Sequence, residues 1–212
     1  MQSQGNEILL KRWYCRNMQY TPRLDEALKM SAMLHQGQTR KDFEQTPYSM
    51  HPVAVMVIVA NYCDDEDVLV AALLHDVLED VMLPYQEKEN MITERFGKKV
   101  LDIVRGVTED KDPMEKKDEK VGWKERKQKY LNNLLSSSEE SVLVSAADKI
   151  HNLLSMASSL KIEGESFWNR FNSPQDQKLW FYEEVLKVVK QKTQSPIAKE
   201  LEEKIEEVRA FI

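Results

Sequence analysis

The sequence predicts an all-α fold, and three observations carry that expectation. Apolar residues recur at helical spacing along almost the whole chain, no stretch sustains the two-residue alternation of a half-buried strand, and only six glycines occur in 212 residues. Hydrophobic residues make up 42% and charged residues 31%, a balance that suits a packed helical protein rather than a disordered one. The length fits one sizeable core, so residues 1–212 are read as a single compact helical bundle, with a core over about 24–192 and a C-terminal helix over 193–212.

The elements follow in order. Leu24, Ala27, Leu28, Ala32 and Leu34 share one face of a first helix that Gly37 can close, and a polar loop runs from Gln38 to Met50. His51 precedes Pro52, a residue preorganised for a first helical turn, and the second helix continues to about Tyr62. Asp64, Asp65, Glu66 and Asp67 suit the positive end of a third helix, Val68 to about Val81, which Pro84 helps to stop. Tyr85 to Val107 reads as two helices broken near Gly97. Glu109 to Gly122 is a Lys-rich loop, and a mixed-charge helix follows from Trp123 to Leu135. Ser137 with Glu140 has the form of a capping box opening a helix to about Leu160, and Ser173-Pro174 and Ser195-Pro196 open two final helices.

Composition also narrows the function classes. Thirty Lys+Arg against 36 Asp+Glu give a net charge of −6, which disfavours broad binding to nucleic acid or to an anionic membrane surface. The longest strongly apolar run, Val53 to Ala60, is far shorter than the roughly 20 residues of a membrane-spanning helix. Cys15 and Cys63 match no disulfide framework or CxxC spacing, and the N-terminal residues lack the apolar core of a signal peptide. A cytoplasmic protein with free thiols is the expectation.

The chemistry concentrates in the segment AALLHDVLED. His75, Asp76, Glu79 and Asp80 lie one, three and four residues apart on an otherwise apolar helix, where unpaired carboxylates are costly to desolvate. A divalent metal ion would compensate them, because imidazole and carboxylate from adjacent positions can bind one ion. His51 at the preceding helix mouth and Asp148 within the apolar run Val142 to Leu154 are the best further ligands.

His51, His75 with Asp76, and Asp148 together resemble the H…HD…D signature of the HD-domain metal phosphohydrolases. The stretches HQGQTRK, SMHPVAVMVIVA, AALLHDVLEDV and SAADKIHNL are similar to the hydrolase half of the RelA/SpoT alarmone enzymes and to the stand-alone small alarmone hydrolases, over residues 24 to 155. The resemblance implies an HD-domain bundle, metal ligation by those four residues with manganese as the usual ion, and water activation by Glu79 and Asp80. It further implies that Arg40 and Lys41 hold a nucleotide, that Asn152 lies beside Asp148, and that Lys149 approaches phosphate.

The implied activity is hydrolysis of guanosine 3′,5′-bis(diphosphate) at its 3′-pyrophosphate, releasing pyrophosphate and GDP or GTP. Where the long enzymes carry an Arg two residues after the Asn, this chain has Leu153 and Leu154. That departure keeps open an HD-type hydrolase acting on another nucleotide or phosphate ester, such as a nucleoside monophosphate or NADPH. A non-catalytic nucleotide-binding helical module is the third class. Lys111, Lys116, Lys117, Lys120, Lys124, Arg126 and Lys127 could form a funnel for a polyanion. His35 and His151 read as structural, and Trp123, Trp168, Trp180, Phe167, Phe171, Phe181 and Tyr182 as core aromatics, with Tyr182 also able to stack on a base.

Overall fold

A computed structural model describes residues 18–109, 119–170 and 174–211, with the backbone alone for 119–121. Cys15, Lys111, Lys116, Lys117, Phe171, Ser173 and the Lys120 side chain, all named above, lie outside the described parts. Within them the regular structure is helical. Ten α-helices and one 3-10 segment are present, and the only β feature among the described residues is an isolated antiparallel bridge between Thr39 and Pro47.

Helix α1 spans Pro22–Leu34. Thr21 opens it: its side chain accepts the Leu24 N–H, and Pro22 occupies the first turn, where a missing N–H costs nothing. α2 runs Met50–Ala60 and α3 runs Glu66–Leu74. The acidic cluster sits at the α3 N-terminus as expected. Asp65 accepts the Asp67 N–H, and Arg23 of α1 reaches Glu66 at 3.1 Å and Asp67 at 2.5 Å, tying the starts of α1 and α3 together.

The expected single helix to Val81 is interrupted. α3 stops at Leu74, His75 and Asp76 form a turn, and α4 is one further turn, Val77–Asp80. α5 (Tyr85–Phe96) and α6 (Lys98–Val107) meet at Gly97, whose φ of +88° lies in the region closed to most side chains. α7 spans Glu119–Ser136, so helix begins inside the segment read as loop.

α8 spans Glu139–Glu163. Its cap is Ser138, which accepts the Ser141 N–H, and not Ser137. The Ser137 hydroxyl instead donates back to the Asn133 carbonyl at the end of α7. Gly164–Arg170 is the 3-10 segment, followed by α9 (Gln175–Lys192) and α10 (Ile197–Arg209).

α3 and α8 form the centre. Val68 to Leu74 are buried without exception, so α3 is covered on every side, by α1, α2, α6 and α8. α8 packs on α2, α6, α9 and α10. Ile197, Leu201, Ile205 and Val208 make one buried stripe on α10, which closes the bundle against α8 and α9. Two rigid central helices thereby present His75 and Asp76 at the end of one and Asp148 midway along the other. No helix among the described residues is long and apolar enough to cross a membrane.

Candidate metal centre and active site

Local structure aims each ligand. His51 lies in the first turn of α2, and its N–H donates to the Tyr48 carbonyl at 2.8 Å. His75 ends α3 and donates from Nδ1 to the Ala72 carbonyl at 2.8 Å, which leaves Nε2 as its reactive edge. Asp76 sits in the turn, and its carbonyl accepts the N–H groups of Glu79 and Asp80, so α4 hangs from it. Asp148 faces all three from α8.

The convergence is close. His51 Nε2 lies 3.1 Å from Asp148 Oδ1 and 3.4 Å from Asp76 Oδ2, while His75 Nε2 lies 3.1 Å from Asp76 Oδ2 and 3.8 Å from Asp148 Oδ1. One donor atom each from His51, His75 and Asp148 falls within a mutual 4.8 Å. His51 is 1% exposed, His75 3% and Asp148 7%.

The electrostatics of the cluster favour positive charge among the carboxylates. Burial opposes charge on His75, yet the adjoining Asp76 and Asp148 carboxylates hold its pKa well above the ordinary imidazole value. Burial would push Asp76 and Asp148 up, but His75 and His51 hold Asp76 well below the carboxylate range, and Lys149 with the same histidines does so for Asp148. His75 Nε2 nonetheless makes no well-directed hydrogen bond. A buried nitrogen aimed at carboxylate oxygens, with its other edge committed to a backbone carbonyl, fits a divalent ion as well as it fits a proton.

The neighbouring residues are linked to this cluster. Arg40 Nη2 donates to Asn152 Oδ1 at 2.7 Å, and Asn152 Nδ2 donates to Asp148 Oδ1 at 2.6 Å, a relay from the 38–49 loop to the centre. Lys149, expected at a phosphate, pairs with Asp148 Oδ2 and lies 4.8 Å over the Tyr130 ring. Glu79 accepts the Glu109 N–H at 3.2 Å through Oε2, and Asp80 Oδ2 lies 3.1 Å from the Tyr48 hydroxyl. Lys41 lines the outer part of the cleft, and its carbonyl receives Arg170.

Two adjoining cavities lie at this site, and the inner one opens on the cluster. The inner one, about 210 Å³, carries Asp76, Glu79, Asp80, Glu109 and Asp148 opposite Arg40, Lys127, Lys149 and Lys178. The outer one, about 260 Å³, adds Thr39, Lys41, Ser155, Met156, Ser159 and Phe167. Tyr182 and Lys178 border both, and burial together with Lys127 and Lys41 pushes Lys178 down to about 8. Clustered cations facing carboxylates suit a polyanion bridged to a metal.

Several residues here escape the sequence reading. Tyr48 sits within the supposed polar loop, and Lys178 on α9 carries no motif. Lys127 belongs to the Lys-rich set, but its ammonium is bound to buried Glu109 at 2.6 Å, so it is a fixed wall of the cleft rather than a surface charge. His151, read as structural, presents Nδ1 to His51 Nδ1 at 2.7 Å. Phe181 packs among Trp123, Tyr130 and Tyr182, consistent with a core aromatic role. The Tyr-x-x-His spacing before α2 is the one local signal that could have flagged Tyr48.

This helical arrangement, with paired histidines and aspartates at its centre, defines a class, and the chain belongs to it: the HD-domain family matches residues 27–169. Among curated relatives, the bifunctional (p)ppGpp synthase/hydrolase SpoT of Escherichia coli is 37% identical over 136 residues, covering 64% of this chain and 18% of SpoT. The chain therefore spans under a fifth of that protein's length. The guanosine-3′,5′-bis(diphosphate) 3′-pyrophosphohydrolase MESH1 of Drosophila melanogaster is 40% identical, over 60% of this chain and 66% of its own length. Its Danio rerio counterpart is 35% identical, over 65% and 71%. Among solved structures, a metazoan ortholog of SpoT described as hydrolysing ppGpp superposes with a TM-score of 0.70 at 30% identity, over 92% of this chain and 99% of that one.

Proposed function

We propose that this chain is a metal-dependent phosphohydrolase that removes the 3′-pyrophosphate of ppGpp or pppGpp, leaving GDP or GTP, and that residues 1–212 form one HD-type unit. The observation that carries the reading is the cluster of buried His51, His75 and Asp148 with half-buried Asp76, which suits a cation and opens into a cleft walled by Arg40, Lys127, Lys149 and Lys178. His51, His75, Asp76 and Asp148 would hold the ion. Manganese suits this mixed imidazole and carboxylate set, and the cytoplasm suits a nucleotide substrate and a Cys63 outside any disulfide.

A bound divalent ion would polarise phosphoryl oxygen and acidify a water molecule. Glu79 and Asp80, on the turn that follows Asp76, would orient an attacking water and take its proton. The water oxygen joins the phosphorus attached to the ribose 3′-oxygen. That phosphorus–oxygen bond breaks, the 3′-oxygen gains a proton, and pyrophosphate departs. Arg40, Lys41 and Asn152 would hold the nucleotide, while Lys149 keeps Asp148 ionised and borders the phosphates.

Purified protein supplied with manganese should release pyrophosphate from ppGpp, and Asp76→Ala and Glu79→Ala should abolish the release. Absence of turnover by metal-loaded wild type overturns the reading. A second reading, hydrolysis of another nucleotide or phosphate ester, draws support from Leu153 and Leu154: Leu153 is fully buried, and Leu154 borders a neighbouring hollow with Arg40, so neither offers a phosphate donor. A panel that includes a nucleoside monophosphate and NADPH under the same conditions decides between them by rate.

A further inference from the structure

Tyr48 belongs to no motif, yet it touches more of the centre than any of the expected substrate residues. Its loop is held at both ends: Arg40 N–H donates to the Thr46 carbonyl at 2.8 Å and Tyr48 N–H to the Gln38 carbonyl at 2.9 Å, on either side of the Thr39–Pro47 bridge. The ring lies 4.9 Å from His35, stands edge-on to His51 at 5.6 Å, and carries the Arg40 guanidinium 5.7 Å from its centre. Little freedom remains to the phenol.

Its hydroxyl donates to Asp76 Oδ2 at 2.6 Å and lies 3.1 Å from Asp80 Oδ2. One hydrogen thus serves two carboxylates four residues apart, and the acceptor at Asp76 is the same oxygen that faces both imidazoles. A phenol facing two carboxylate oxygens, which can only accept, stands as the donor. Two ionised carboxylates brought together at one turn repel unless a donor stands between them.

We infer that Tyr48 is a positioning residue whose hydroxyl fixes the Asp76 carboxylate toward the two histidines and holds Asp80 beside it, coupling the metal-binding group to the water-handling group. The inference rests on the metal reading of the cluster. It assigns Tyr48 no contact with substrate. Partners that orient ligating carboxylates typically account for about 10–100-fold in metal affinity or turnover.

Tyr48→Phe keeps the ring and deletes the hydroxyl. Calorimetric titration of the metal-free protein with Mn²⁺ should show affinity reduced about tenfold or more, and kcat on ppGpp should fall by a similar factor with KM little changed. Packing alone would lower the melting temperature and leave Mn²⁺ affinity where it was; that result overturns the inference, as does affinity within about twofold of wild type. Asp76→Ala is titrated in parallel to separate the two readings. Loss of Mn²⁺ binding in Asp76→Ala but not in Tyr48→Phe removes the Tyr48 role alone, whereas unchanged binding in Asp76→Ala removes the metal site and the Tyr48 role with it. Should Tyr48→Phe fold poorly, Asp80→Asn tests the same link, since an amide oxygen is a weaker acceptor than a carboxylate oxygen and the change should weaken Mn²⁺ binding through Asp76; unaltered affinity there counts against the coupling.

Discussion

His51 Nδ1 and His151 Nδ1 face each other at 2.7 Å, with their rings inclined by 38°. Such a pair needs one proton between the two nitrogens. Burial, His51 and Arg40 push His151 down to about 4, so His151 is neutral and one of its ring nitrogens can accept. A bound metal would require the His51 tautomer that donates from Nδ1 to His151 and leaves the Nε2 lone pair for the ion.

His151→Phe should preserve the ring packing while removing the acceptor. Mn²⁺ affinity is expected to fall about tenfold by calorimetry, with the fold intact by circular dichroism. Wild-type affinity in this variant would show that the His51 tautomer is set without His151.

Metal binding should also depend on pH in a defined direction. Asp76 and Asp148 have pKa values held below 3.8, so their contribution to stability is present above that value and is lost as pH falls through the lowered values. His75 is raised above 6.5, so its contribution is present below 6.5 and disappears as pH rises through the raised value. The metal-free protein should accordingly melt at lower temperature on the alkaline side. Manganese must displace the His75 proton, so apparent affinity should rise about tenfold per pH unit until the raised pKa is passed. Thermal melts with and without Mn²⁺ across the neutral to alkaline range check both trends, and a metal-induced shift that is flat with pH contradicts them.

Gly106 in α6 lies against the start of α8, where a methyl group would come within 2.7 Å of Ser141 Cβ and 2.8 Å of Ser137 Oγ. Ser141 cannot easily retreat, because its buried hydroxyl donates to the Ile103 carbonyl at 3.1 Å. Gly106→Ala should cost about 1–3 kcal/mol by overpacking, read as a melting temperature several degrees lower. Mn²⁺ affinity should not change. An unshifted melting curve would mean that the α6–α8 contact yields.

Helical periodicity made most of the architecture legible, because amphipathic faces report which side of each helix meets the core. The turn at His75 and Asp76 was hidden: both residues keep near-helical backbone angles (φ −58° and −92°), so no Gly or Pro marks it. The α8 cap was misplaced by one residue because Ser137 and Ser138 are chemically alike, and only the Asn133 carbonyl decides which hydroxyl is free to cap. The HD pair announced itself by charge on an apolar helix. Tyr48 and His151 stand three residues from a ligand but carry no charge to mark them, and Lys178 reaches the centre through a tertiary contact that no spacing along the chain encodes.

Lys88 is a buried lysine whose ammonium donates to the carbonyls of Leu78 at 2.5 Å and Val81 at 3.1 Å. Those carbonyls bracket Glu79 and Asp80 at the end of α4, a helix of four residues that cannot satisfy its own terminal groups. Lys88→Met keeps the length of the side chain but takes the ammonium donor from the Leu78 carbonyl, while the Val81 carbonyl keeps the Leu83 N–H, at a cost of about 1–3 kcal/mol. The turn should then loosen around Glu79 and Asp80 while His51, His75 and Asp148 stay in place. Expected results are a lower melting temperature and a reduced kcat, with Mn²⁺ affinity and KM near wild type. If kcat survives while stability falls, Lys88 supports the bundle without holding the water-handling turn in register.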